Sequence, residues 1–218
     1  VGKQTQTDPE IVSVSQWGGV RPRVPFPARG ALDHLVLHHT AYRSDRIGGT
    51  SVEAQSRHMR EIERWHLDRG FLAVGYHFVI SPTGRVFRGR PIDRMGAHVK
   101  GHNRGTVGIC LMGDFERERP TVAALAGLAA VRTRLVPGAA GLPLVGHRDH
   151  SGQATLCPGR FLIAYLSETN EGRLAAALEE SVGLGSSVRE QRSSARSRPR
   201  TSARSTPESS PSRSDSAG

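Results

Sequence analysis

A chain of 218 residues is long enough for one domain with additions and too short for two full ones. Only 36% of its residues are hydrophobic, two are cysteines, and no apolar run approaches the ~20 residues of a membrane-spanning helix, so neither a helical span nor a disulfide scaffold is expected. The 30 Lys and Arg against 20 Asp and Glu leave a net charge of +10, which points to an anionic partner: a nucleic acid, an acidic lipid or an anionic cell envelope.

Residues 1–10 are polar and read as an N-terminal arm. Ile11 to Gly19, followed by Pro22, Pro25 and Pro27, reads as an extended segment laid over a domain with Trp17 as its apolar anchor. Asp33 to His39 has the apolar centre Leu35-Val36-Leu37 of a buried strand. His38 and His39 stand at its end, and strand alternation sends them to opposite faces. Thr50 with Glu53 three residues later forms a capping box, predicting a helix that runs to a stop at Gly70. Val52, Met59, Ile62 and His66 share one face of that helix. Tyr76 to Ile80 reads as a strand, Ser81 to Gly84 as a turn, and Val86-Phe87 as the second arm of a hairpin. Met95 to Asn103 is a loop rich in His and Gly, with donors suited to a polar ligand. Thr106 to Met112 is a strong strand that buries Cys110 as a small hydrophobe. Pro120-Thr121 opens a helix through Val136, with Val122, Leu125, Leu128, Ala129, Arg132 and Leu135 on one side. Leu142 to Val145 is a short strand, Phe161 to Leu166 a helical turn, and Arg173 to Val182 a terminal helix.

Beyond Gly183 the character changes. Arg189 to Gly218 is Ser, Arg and Pro, with seven Arg against three acidic residues and almost nothing apolar. Such a composition buries too little to fold, so 183–218 is expected to be a disordered basic tail. Strands alternating with helices around a hairpin make residues 11–182 a single α/β domain with a mixed central sheet packed by helices. The Val1 start reads as that of a processed or trimmed chain, with no signal peptide in view.

The chemistry concentrates in Gly146-His147-Arg148-Asp149-His150-Ser151-Gly152-Gln153-Ala154-Thr155-Leu156-Cys157-Pro158-Gly159. Two imidazoles and a thiol in one loop are ligand types suited to zinc, and a further ligand is on offer at His38-His39. Two imidazoles and a thiolate leave tetrahedral zinc one open position, the arrangement of a catalytic site. His39 and His77 read as core residues, His58 and His102 as surface ones, and His66 as a core histidine first and a functional one second.

The chain resembles the zinc-dependent N-acetylmuramoyl-L-alanine amidases that share a fold with peptidoglycan recognition proteins and phage amidase-type lysozymes. The matching stretches are Val36–Ala41, Gly75–Ile80, Gly84–Arg90, Gly96–His98, Gly105–Phe115, Gly146–Asp149 and Thr155–Gly159, in the family's order. The resemblance implies zinc ligands His38, His147 and Cys157, catalytic assistance from Tyr76 and Thr155, and substrate contacts at His98 and Asn103; His66 is added as a cleft residue. Nine residues separate His147 from Cys157, about two more than the family uses, with the extra length at Ser151-Gly152-Gln153. That length leaves His150 open as an alternative ligand to His147. Ala73 also departs from the family's frequent Asp.

Three functions compete. The first is zinc-dependent hydrolysis of the amide bond between N-acetylmuramic acid and L-alanine in peptidoglycan. The second is a non-catalytic recognition module; Cys157 and Tyr76 argue against it, because relatives that only bind lose the cysteine. The third is a nucleic-acid binder, which the 5% aromatic content and the absence of aromatics from the tail disfavour. The amidase reading implies Zn2+, peptidoglycan as partner, a monomer, and a secreted, periplasmic or cell-wall location, with the basic tail held near anionic envelope polymers.

Overall fold

The computed structural model describes residues 8–170. The expected helix at Arg173–Val182, the basic tail and the first seven residues of the arm lie outside them. The fold begins with β1 (Ile11–Val12) and a single helical turn, α1 (Val14–Trp17), where composition predicts an extended segment. The turn closes because the Gln16 side chain accepts from the Ser13 N–H at 2.8 Å and Gly18 takes a left-handed φ of 81°. Trp17 is the expected anchor. It is fully buried, and its indole N–H donates to the Arg88 carbonyl at 2.8 Å.

β2 (His34–His39), α2 (Val52–Leu67), β3 (Phe78–Ile80), β4 (Val86–Arg88), β5 (Thr106–Leu111), α3 (Val122–Ala130), β6 (Leu144–Gly146) and α4 (160–170) follow. The six strands form one mixed sheet in the order β1-β4-β3-β5-β2-β6, antiparallel only at the β3–β4 hairpin. Both faces are covered, which is why the central strands read as continuous apolar runs. Leu35, Leu37, Val107, Ile109 and Leu111 pack against Ala124 and Leu128 of α3 and Leu162 and Leu166 of α4. Val79, Phe87 and Cys110 pack on the other face, against Trp17 and Met59 and Ile62 of α2. Each large apolar side chain buried this way contributes about 1.5–3 kcal/mol.

The cap of α2 is Ser51 rather than Thr50: its side chain accepts from the Ala54 N–H at 3.1 Å. The Thr50 carbonyl instead receives Arg85, and Glu53 pairs outward with Arg60. Met59, Ile62 and His66 are buried as expected, but Val52, in the first turn, is 38% exposed. His58, expected on the surface, is buried between Tyr42 and Trp65, with Nδ1 against Glu61. The helix predicted through Val136 is α3 followed by a wider π-helical turn, Val131–Leu135, in which Arg132 is buried and donates to the Leu142 carbonyl at 2.7 Å. Its buried stripe is Ala124, Leu128 and Val131, while Val122 is 86% exposed. α4 is longer than the turn expected at Phe161–Leu166, because Leu162 and Leu166, four apart, both reach the core. No helix among the described residues is long and apolar enough to cross a membrane.

Candidate active site

Parallel pairing sets Leu37 of β2 beside Gly146 of β6. The residue that follows each of these is a histidine, so His38 within β2 and His147 just past β6 arrive together at the carboxyl ends of the strands, where open α/β sheets carry their ligands. Their ring centroids are 4.7 Å apart. Strand alternation turns His39 the other way, where its Nδ1 accepts from the Phe115 N–H at 3.2 Å and its ring stacks on Phe115.

Cys157 comes from the loop that follows β6. The loop's two ends are tied by the Arg148 N–H to the Cys157 carbonyl at 3.0 Å, and the Asp149 carboxylate accepts from the Gly146 N–H at 2.7 Å. Among the described residues, His38, His147 and Cys157 form the one group of three His, Cys or carboxylate side chains whose ligand atoms all lie within 4.8 Å of one another. Cys157 Sγ stands 3.6 Å from His38 Nδ1. His150 does not join them: its Nε2 meets His34 Nε2 at 3.0 Å, and its Nδ1 lies 3.3 Å from the His147 carbonyl.

The far side of His38 is organised by a relay. The Thr106 hydroxyl donates to the backbone carbonyls of His102 and Asn103, each at 3.1 Å, so its oxygen is left to accept from His98 Nε2 at 3.4 Å. His98 Nδ1 then accepts from His38 Nε2 at 3.1 Å, which leaves the His38 Nδ1 lone pair facing Cys157. His98 fits beneath His38 only because residue 108 is glycine. A Cβ there would lie 2.5 Å from the His98 ring.

Burial, reinforced by neighbouring histidines, lowers the pKa of His38 well below its ordinary value, and burial lowers that of His147, so both rings are neutral and hold free lone pairs. Burial pushes the Cys157 thiol up to about 12. A cation at the cluster would reverse that penalty by displacing the proton. Two imidazole nitrogens and one sulfur, each with its geometry held, are a donor set that fits zinc.

Beside the cluster opens a cleft of about 470 Å³, reached by Tyr76 and His147 and walled by His66, Arg69, His98, Lys100 and Asn103. Burial, with the Cys110 and Cys157 thiols adding to it, holds the Tyr76 hydroxyl well above the usual phenol range, so it stays a donor. Thr155 Oγ1 accepts from the Cys157 N–H at 3.1 Å and keeps its own hydrogen to give. His66 Nδ1 accepts from the Gly75 N–H at 3.0 Å, and Asn103 Oδ1 shapes the wall by accepting from the His98 and Val99 N–H groups at 2.8 and 2.9 Å. His77 is structural: Nδ1 accepts from Gly108 N–H at 2.9 Å and Nε2 donates to the Arg94 carbonyl at 2.8 Å. Sequence reasoning missed Thr106 and Gln153. Thr106 carried no signal, and Gln153 lies in the Ser151-Gly152-Gln153 stretch between His147 and Cys157.

A mixed sheet packed by helices is also what the comparisons with known proteins find. The N-acetylmuramoyl-L-alanine amidase family matches residues 28–160. The chain is 33% identical over 141 residues to the endolysin of Klebsiella phage KP32, spanning 62% of this chain and 86% of that one. Its fold matches the N-acetylmuramoyl-L-alanine amidase LysC of Clostridium intestinale with a TM-score of 0.59 at 27% identity, covering 75% and 98% of the two chains. It matches peptidoglycan recognition protein LE, solved in complex with tracheal cytotoxin, a monomeric diaminopimelic acid-type peptidoglycan, with a TM-score of 0.62 at 26% identity, covering 69% and 88%. The chain belongs to the N-acetylmuramoyl-L-alanine amidase family, which its endolysin and peptidoglycan-recognition relatives share.

Proposed function

We propose that this protein is a zinc-dependent amidase that cleaves peptidoglycan between N-acetylmuramic acid and L-alanine. The observation that carries the reading is the His38, His147 and Cys157 cluster beside the cleft, with the outward nitrogen of His38 held by His98. Those three residues would hold the zinc, which supplies Lewis acidity toward an amide carbonyl and a water nucleophile at neutral pH. Tyr76 is assigned the hydrogen bond to the oxyanion that develops on the carbonyl, and Thr155 a second one from the opposite loop. His66, His98 and Asn103 form the wall on which the glycan-peptide lies, and Arg69 and Lys100 give that wall a positive charge suited to peptide carboxylates. The site of action is the cell wall, and the basic tail is assigned to anionic envelope polymers.

The test is digestion of purified peptidoglycan with and without a zinc chelator, read by mass spectrometry. Peptides with a free L-alanine amine are expected, lost on chelation and restored by zinc. Binding without release in any metal state would replace this reading with that of a recognition module.

A further inference from the structure

One residue outside the ligand set touches both a ligand and the cleft wall. The Gln153 amide nitrogen donates to the Lys100 carbonyl at 3.1 Å, and Gln153 Oε1 lies 3.2 Å from His147 Nε2. A backbone carbonyl only accepts, so the nitrogen end of the amide must face Lys100 and the oxygen must face His147. An amide oxygen also only accepts, so the hydrogen of His147 sits on Nε2 and the Nδ1 lone pair is left free. Next to Gln153, the Ser151 carbonyl and hydroxyl lie 3.3 and 3.4 Å from His102 Nε2. The Ser151–Gln153 stretch between His147 and Cys157 is therefore fastened to the Met95–Asn103 loop at two points.

We propose that Gln153 is a positioning residue for the metal: its amide oxygen, turned toward His147 by the Lys100 carbonyl, locks that ligand in the Nε2–H tautomer. For His147 it does what His98 does for His38. The proposal rests on the zinc reading of the cluster. Partners of this kind to a metal-ligating histidine are worth about 10–100-fold in metal affinity.

The test is zinc affinity by competition with a chromogenic chelator, for the wild-type chain, Gln153→Ala and Gln153→Glu, with melting of the metal-free proteins alongside. Ala removes both contacts and is expected to weaken zinc binding about 10–100-fold. Glu keeps an acceptor for His147 while losing the donor to Lys100, and is expected to remain within about threefold of wild type, since a carboxylate serves a metal-bound histidine well. A residue that served only to brace the loop would give the opposite pattern, with Glu as damaged as Ala, and that result overturns the proposal. So does an Ala variant that binds zinc as tightly as wild type. A wild-type chain that takes up no zinc refutes the metal reading itself, and this proposal with it.

Discussion

Replacing Tyr76 with Phe isolates one hydroxyl. The ring lies 5.1 Å from His38 and 5.1 Å from His66 by centroid, and Phe preserves both contacts. If the hydroxyl donates to the developing oxyanion, its removal costs about 3 kcal/mol at the transition state, or about 10²–10³ in kcat. Substrate binding and zinc affinity change little, because neither uses the hydroxyl. The assay is steady-state release of peptide from a soluble muramyl-peptide, with zinc content measured on the same samples. Because the phenol pKa is raised, kcat in the wild type does not fall through pH 10 on account of this group. A Tyr76→Phe enzyme that retains more than a third of wild-type kcat, or that loses its zinc, would refute the assigned role.

Zinc must displace the proton of a Cys157 thiol held at about 12, so affinity is expected to rise about tenfold per pH unit between pH 7 and 9. Chelator competition at several pH values measures this, and a flat profile would exclude the thiolate as ligand. His66 and His77 are both pushed down to about 4 by burial, so the unfolded chain binds protons between pH 6.5 and 4 that the folded chain does not. Metal-free protein should accordingly lose stability as pH falls through that window, by up to about 3 kcal/mol for each of these two histidines. Urea midpoints at pH 7, 5 and 4 report it, and an unchanged midpoint would contradict the burial argument. Gly108→Ala places a methyl 2.5 Å from the His98 ring, and is expected to cost about 1–3 kcal/mol and to weaken zinc binding as His98 is displaced from His38. Calorimetry with zinc titration checks both effects, and a variant that melts and binds like wild type would show that His98 has room to move.

The sequence by itself determined the central strands, because a sheet covered on both faces demands the unbroken apolar runs seen at Leu35–Leu37 and Val107–Leu111. It also marked Trp17 as an anchor and separated His38 from His39 by strand alternation. It misplaced the α2 cap by one residue, since Thr50 and Ser51 are equal candidates until the helix is seen to start at Val52. It put His58 on the surface, because nothing local says that Tyr42, sixteen positions away, will cover it. Only the tertiary structure decided which histidine after β6 meets Cys157. Pairing of Leu37 with Gly146 delivers His147 to the cluster, while three residues on His150 has turned to His34 at the amino end of β2. Hydrogen placement on His38 and His147 was likewise beyond the sequence. It is set by carbonyls at Lys100, His102 and Asn103, acting through Gln153, Thr106 and His98, and contacts made across the sheet leave no trace in local spacing.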